Sequence, residues 1–283
     1  MIDLHTHSTA SDGKLTPAAL MQAAHTAGIT TIALTDHDTI DGIPEAQDEA
    51  EKLKLKLIPG VEIEIDWNGN SDYPLPKSRE FHLLGLNIKN PSAGFIELMK
   101  ELKILREERN KKIIKKMNDE GLNADYEELR SMTSGGCIGR PHFAQYLIKL
   151  GMAKNVEQAF DRYLSKGKPF YYQKPGADFK RALYLIKESG GIAVLAHPTT
   201  LYVSWGKLPD ILKTLADEGL EGIEAWHPLA TAHTCERLEK LGVSLGLRIT
   251  AGSDYHGGFR MDRKLGCTGG GRKIDDRFLD AFL

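Results

Sequence analysis

Thr31-Ile32-Ala33-Leu34-Thr35, followed at once by Asp36-His37-Asp38, is a short apolar, β-branched run that ends in groups able to bind a cation. A run of this kind reads as a buried strand. The same design recurs on both sides of it. Ile2–His5 leads into His5-Thr6-His7 and then Asp12, while Leu57–Ile63 carries Glu62 and Glu80–Leu86 carries His82. Ile192–Ala196 precedes His197, Gly222–Trp226 precedes His227, and Arg248–Ala251 precedes Asp254 and His256. Helical patterns separate these seven predicted strands. One starts at Thr16-Pro17 and closes at Gly28; the others are Asp41–Leu53, Asp178–Ser189, Lys207–Glu218 and Thr231–Leu241. Strand–helix alternation predicts an α/β fold built on a parallel sheet or barrel. Active sites of such barrels lie at the C-terminal ends of the strands, so these polar residues are expected to meet there.

From about 92 to 175 only helical patterns are visible. Phe95, Leu98, Leu102, Leu105, Ile113 and Met117 mark the apolar face of the first. The sequence therefore predicts a barrel domain, residues 1–91 and 176–283, interrupted by a helical insert, 92–175, packed over the active site. Lys111, Lys112, Lys115 and Lys116 interleave with Glu107, Glu108, Asp119 and Glu120 and read as a solvated helix face. Phe170-Tyr171-Tyr172 reads as insert packing, with stacking on a nucleobase as the alternative.

The 283 residues carry 37 basic and 39 acidic side chains, a net charge of −2. That balance gives no electrostatic reason for duplex DNA binding. Cys137, Cys235 and Cys267 form no CxxC pair, which argues against disulfides or a zinc ribbon. No signal-peptide pattern or membrane-length apolar run is present, so a cytoplasmic location is expected, with no membrane contact and no obligate protein partner. The glycine-rich 266–272 stretch lacks the Gly-Lys-Ser/Thr ending of a P-loop.

Neutral imidazoles and carboxylates suit Mn²⁺, Fe²⁺ or Zn²⁺. In His5-x-His7 and Asp254-x-His256 the two side chains of an extended segment share a face and can reach one ion. Asp36 and Asp38 flank His37 and are expected to orient imidazoles by accepting their N–H bonds. His227 is a candidate general acid or substrate contact. In Gly139-Arg140-Pro141-His142, proline opens a helix whose first N–H groups are free, beside a guanidinium suited to phosphate. Arg140 is thus a candidate phosphate anchor, with His142 and Lys168 as further contacts.

Asp3-Leu4-His5-Thr6-His7-Ser8…Ser11-Asp12-Gly13, Leu34-Thr35-Asp36-His37-Asp38-Thr39, Pro59-Gly60-Val61-Glu62, Phe81-His82-Leu83-Leu84-Gly85, Ala196-His197-Pro198 and Gly252-Ser253-Asp254-x-His256 together resemble the PHP (polymerase and histidinol phosphatase) family. The resemblance implies a distorted seven-stranded (β/α) barrel with a trinuclear metal centre. It would place one ion on His5, His7, Glu62 and Asp254, a second on Glu62, His82 and His197, and a third on Asp12, His37 and His256. The Gly-Arg-Pro-His motif is similar to that of family members that hydrolyse nucleoside 3′,5′-bisphosphates or trim 5′-nucleotides from short RNA. The expectation is a phosphoesterase holding three divalent ions, Mn²⁺ foremost, that directs activated hydroxide at a small nucleotide or short RNA. The competing readings are a histidinol-phosphate phosphatase, a non-catalytic PHP module and a carbon–nitrogen hydrolase.

Overall fold

The computed structural model describes residues 1–67, 80–133, 136–259 and 262–282. Its first part runs β1 (Ile2–Asp3), α1 (Pro17–Thr26), β2 (Thr31–Leu34), α2 (Ile43–Leu53), β3 (Lys56–Asp66) and β4 (His82–Leu86). The helical insert follows, with α3 (Ala93–Asp119), α4 (Tyr126–Ser131), α5 (Arg140–Lys149), α6 (Val156–Ala159) and a π-helical turn at Phe160–Leu164. The chain then returns through β5 (Ala177–Asp178), α7 (Phe179–Glu188), β6 (Ile192–Leu195), α8 (Leu208–Asp217), β7 (Gly222–Trp226), α9 (Ala232–Ser244) and β8 (Arg248–Ala251).

The strands pair in the order β1-β2-β3-β4-β6-β7-β8, with β5 attached to β3. The Leu4 amide donates to the Ala251 carbonyl at 3.3 Å and Thr6 bridges Tyr255, which brings the last strand back against the first. The result is the expected distorted, nearly closed seven-stranded (β/α) barrel. Local chemistry sets the helix ends: the Thr16 side chain accepts the Ala19 N–H ahead of Pro17, and Gly28 (φ 76°) turns the chain out of α1.

One strand departs from the parallel expectation. β4 runs antiparallel to both neighbours, pairing Glu64 with His82 and Leu83 with Leu195. His82 therefore begins its strand instead of ending it, and reversal of direction returns it to the rim where its neighbours end. Glu62 likewise lies inside β3, not at its end.

α3 belongs to two cores. Its first half buries Phe95, Leu98, Met99 and Leu102 among barrel residues such as Leu84, Ile186 and Val194. Its second half buries Ile113, Ile114 and Met117 with Phe143, Tyr146 and Leu147 in a separate insert core. Between the halves, Arg106 binds Asp38 of the barrel, and Lys174 Nζ lies 3.1 Å from both Asp38 and Glu64. The Cys137 amide donates to the Ala10 carbonyl at 3.0 Å, and a Cβ on Gly136 would lie 1.7 Å from the Thr9 oxygen. Only glycine permits that approach. Among the described residues, no helix is long and apolar enough to cross a membrane.

Candidate metal centre and substrate pocket

Nine side chains from loops and strands of the barrel rim converge on one volume. Glu62 is at its middle: Oε2 lies 3.3 Å from Nε2 of both His5 and His7 and 3.0 Å from His37 Nδ1. Its Oε1 lies 2.8 Å from His82 Nδ1 and 2.9 Å from His197 Nε2. Asp254 Oδ1 approaches the same His5 and His7 nitrogens at 3.5 and 3.2 Å. On the far side, Asp12 Oδ1 faces His256 Nε2 at 3.3 Å and His37 Nε2 at 3.8 Å. Ligand atoms lie within 4.8 Å of one another in the groups His5/His7/Glu62/Asp254, His37/Glu62/His82 and His7/Asp12/His37/His256.

Several of these atoms are buried yet make no hydrogen bond among the described residues: His5 Nε2, both nitrogens of His7, and Glu62 Oε2. Buried polar atoms are costly unless something satisfies them. The Nε2 atoms of His5 and His7 face Glu62 Oε2 across 3.3 Å gaps, as donor atoms do around a cation, so the residues fit a metal centre.

The electrostatics agree. Burial raises the Glu62 pKa, but His37, His82 and His5 outweigh it and hold the carboxyl well below its ordinary range. Burial opposes ionisation of Asp12 and Asp254 too, and the facing imidazoles again prevail. Burial pushes His7 down to about 3, so this ring is neutral. His82 and His256 rise to about 9: burial opposes the charge, but Glu62 favours it in one and Asp12 with Asp254 in the other.

The supporting contacts differ from expectation. Asp36 accepts no imidazole N–H among the described residues; it takes the Ser8 amide at 2.8 Å and the Ser8 and Ser11 hydroxyls at 2.6 and 2.5 Å, clamping the loop between His7 and Asp12. Asp38 is committed to Arg106 and Lys174. The carboxylate that orients the His5 ring is Glu224, at the centre of β7. Its Oε1 accepts from His5 Nδ1 at 3.0 Å and its Oε2 accepts the His197 amide at 2.8 Å. Its sequence signal was present, since a carboxylate between Ile223 and Ala225 in a fully buried strand requires a partner. Asp3 does comparable work on the loops: it accepts the Ser253 amide and hydroxyl at 2.9 and 2.6 Å and the Gly266 amide at 2.8 Å.

Above the cluster opens a cavity of about 620 Å³. One part of its wall comes from the insert: Arg109, Arg140, Lys166, Tyr171 and Phe160. Arg140 lies over the Tyr171 ring at 5.5 Å and reaches Glu80 at 3.3 Å. Arg109 is 7% exposed, and its Nε has no partner among the described residues. Burial, with Arg106 and Arg140 nearby, lowers its pKa to about 9. This residue went unnoticed in the sequence, inside a helix dense with charge.

Three expected contacts are placed elsewhere. Lys168 is exposed and off the cavity wall, which Lys166 lines instead. His142 Nδ1 accepts the Gly139 N–H and closes the start of α5, away from the cavity wall. His227 is buried beneath the wall; its Nδ1 accepts the Leu229 N–H at 3.1 Å, and its Nε2 faces Arg263 at 2.9 Å and Asp254 at 3.3 Å. Burial lowers its pKa. A ring whose Nδ1 accepts a backbone N–H is neutral, which disfavours the general-acid role; Arg263 reaches the cavity in its place. Of the aromatic trio, Phe170 stacks on Tyr163 inside the insert, Tyr171 lines the cavity and Tyr172 is exposed beside Lys116.

Known proteins resemble the chain in sequence and fold. The PHP domain family matches residues 3–174. A 5′-3′ exoribonuclease from Haemophilus influenzae is 34% identical over 254 residues, spanning 90% of this chain and 89% of its own. A 3′,5′-nucleoside bisphosphate phosphatase from Chromobacterium violaceum is 28% identical over 271 residues, spanning 94% and 91%. Among solved structures, an amidohydrolase from Chromobacterium violaceum with bound sulfate and no metal superposes with a TM-score of 0.83 at 27% identity, covering 97% of this chain and 91% of that one. By sequence, by fold and by the histidine and carboxylate cluster at its rim, the chain belongs to the PHP domain family of metal-dependent phosphoesterases.

Proposed function

We propose that the chain hydrolyses small nucleotides, releasing the 3′-phosphate of nucleoside 3′,5′-bisphosphates or trimming 5′-nucleotides from short RNA. The observation that carries this reading is the shared cavity. A cluster suited to divalent cations occupies its base, and two arginines, Arg109 and Arg140, line its wall. A substrate with two phosphates satisfies both. His5, His7, Glu62 and Asp254 would hold one ion, Glu62, His82 and His197 a second, and Asp12, His37 and His256 a third, with Mn²⁺ as the expected metal. When bound, the ions supply an activated water and neutralise charge on the phosphoryl oxygens.

The chain's own side chains do the rest. Arg109 and Arg140 bind the phosphate that is not cleaved, Arg140 exchanging its exposed Glu80 partner for the anion. Lys166 adds a third positive charge. Arg263, paired with Asp254 at 3.3 Å, presents charge beside the phosphate to be cleaved. The relatives named for bisphosphate and RNA hydrolysis support the same choice. A carbon–nitrogen substrate would leave Arg109 and Arg140 without a task.

The test is phosphate release from adenosine 3′,5′-bisphosphate, and nucleotide release from a 5′-phosphorylated RNA tetramer, by Mn²⁺-loaded protein, with histidinol phosphate alongside. Turnover of either nucleotide that vanishes with a chelator is expected. Hydrolysis of histidinol phosphate alone would overturn the reading.

A further inference from the structure

Among the described residues, the insert's polar contacts fall on part of the barrel mouth. Its contacts fall on the loops after β1 and β2 (Thr9, Ala10, Asp38), on Glu64 near the end of β3, and on Glu80 just ahead of β4. The loops after β6 and β7 form another part of the rim, and each sends one large apolar side chain to the cavity: Tyr202 and Leu229. Both are left in water, 61% and 49% exposed. Most other large exposed hydrophobics, such as Ile104, Tyr184 and Val243, lie off the cavity wall.

Tyr202 is also strained. Its backbone is left-handed, at φ 52° and ψ 39°, closing the short 3-10 turn Pro198–Leu201 that follows His197. Bulky residues rarely adopt that conformation, and glycine adopts it freely. An exposed aromatic ring held there gains nothing from burial that would offset the strain. Such strain gathers at binding sites, where the side chain itself is used.

We propose that Tyr202, with Leu229, is the platform on which the base of the second nucleotide of a short RNA stacks, the base on the 3′ side of the phosphate being cleaved. The assignment rests on the reading above. With the terminal 5′-phosphate on Arg109 and Arg140 and the next phosphate at the cation cluster, the remaining strand must leave along a part of the rim the insert does not hold. A base has an apolar face suited to a tyrosine ring and a leucine, whatever its identity. A nucleoside 3′,5′-bisphosphate has no base on that side, so the platform separates the two substrate classes.

The experiment compares three substrates on the Mn²⁺-loaded protein and its Tyr202→Ala and Tyr202→Phe variants: adenosine 3′,5′-bisphosphate, a 5′-phosphorylated RNA dinucleotide, and that dinucleotide with an abasic second residue. Tyr202→Ala should lower kcat/KM for the dinucleotide about tenfold relative to the bisphosphate, the loss of one base–aromatic stack. Tyr202→Phe should restore the ratio. With the abasic substrate the difference between wild type and Tyr202→Ala should disappear, which a purely structural role for Tyr202 would not produce. An unchanged ratio, or an equal loss on the abasic substrate, overturns the platform and leaves the phosphoesterase reading standing. So does a wild-type protein that cleaves the bisphosphate and not the dinucleotide. If neither is cleaved, the nucleotide reading itself falls, and the platform with it.

Discussion

Glu224→Gln separates orientation of the metal ligands from mere stability. In the wild type, one carboxylate oxygen accepts from His5 Nδ1 at 3.0 Å and the other accepts the His197 amide at 2.8 Å. With Nδ1 so engaged, His5 Nε2 is left facing Glu62 and Asp254 at 3.3 and 3.5 Å, and only a proton or a cation can join them. Glutamine has the same shape but a single acceptor oxygen, so its NH₂ must confront one of the two N–H donors. One hydrogen bond to a charged acceptor is lost, costing about 1.5–3 kcal/mol. That corresponds to roughly a 10- to 150-fold loss of metal affinity, in line with the ~10- to 100-fold typical of substitutions behind a metal ligand. Competition between the protein and a chromophoric chelator for Mn²⁺ measures it directly, with thermal unfolding of the metal-free protein as control. Metal affinity within about threefold of wild type, alongside a clear drop in Tm, would refute the orienting role.

Arg109→Gln should raise KM for the bisphosphate at least ~10-fold, from loss of a charged contact, with a smaller change in kcat. Its Tm should not fall, because the free protein loses a buried cation whose Nε has no partner among the described residues; a large Tm drop would mean Arg109 is structural. In the metal-free protein, His82 and His256 have pKa values near 9 against an ordinary 6.5. Folded rings that hold protons more tightly than unfolded ones stabilise fully below pH 6.5, and that contribution is lost as pH rises through 9. Chelator-treated protein should therefore melt at falling temperatures across that window, while metal loading flattens the slope. Calorimetry at pH 7.5 should find about three protons released as ions bind, because burial at His5 is likewise outweighed, by Glu224, Glu62 and Asp254, which hold its pKa well above the ordinary value. Gly252→Ala would place a Cβ 2.2 Å from His5 Cβ and 2.6 Å from Glu224 Oε1. It should cost about 1–3 kcal/mol by overpacking and release metal, both read by unfolding with and without Mn²⁺.

The rim residues were legible because each predicted strand is a plain apolar run with a ligating side chain on it or just beyond. Strand direction was harder. The strand–helix rhythm predicts parallel strands throughout, and nothing in the apolar run Glu80–Leu86 signals the reversal at β4. Supporting roles were the least legible. Asp36 and Asp38 sit beside His37 in sequence, yet their partners, Ser8, Arg106 and Lys174, come from distant segments. Sequence proximity to a ligand says little about which carboxylate faces its ring. Glu224 and Arg109 escaped notice for opposite reasons: one hides in an apolar strand, the other in a helix where charge is commonplace.

Asp3 binds the Gly266 amide across 263 positions of sequence and Ser253 across 250. A ribosome delivers His5 and His7 long before Asp254 and His256. Throughout that interval the early imidazoles lack the acids that complete their nest, so a nascent chain cannot assemble the centre as it emerges. Ion capture is thereby deferred until Asp254 and His256 have been made, and a product that stops short of them lacks two side chains of the cluster, however well its first strands pair.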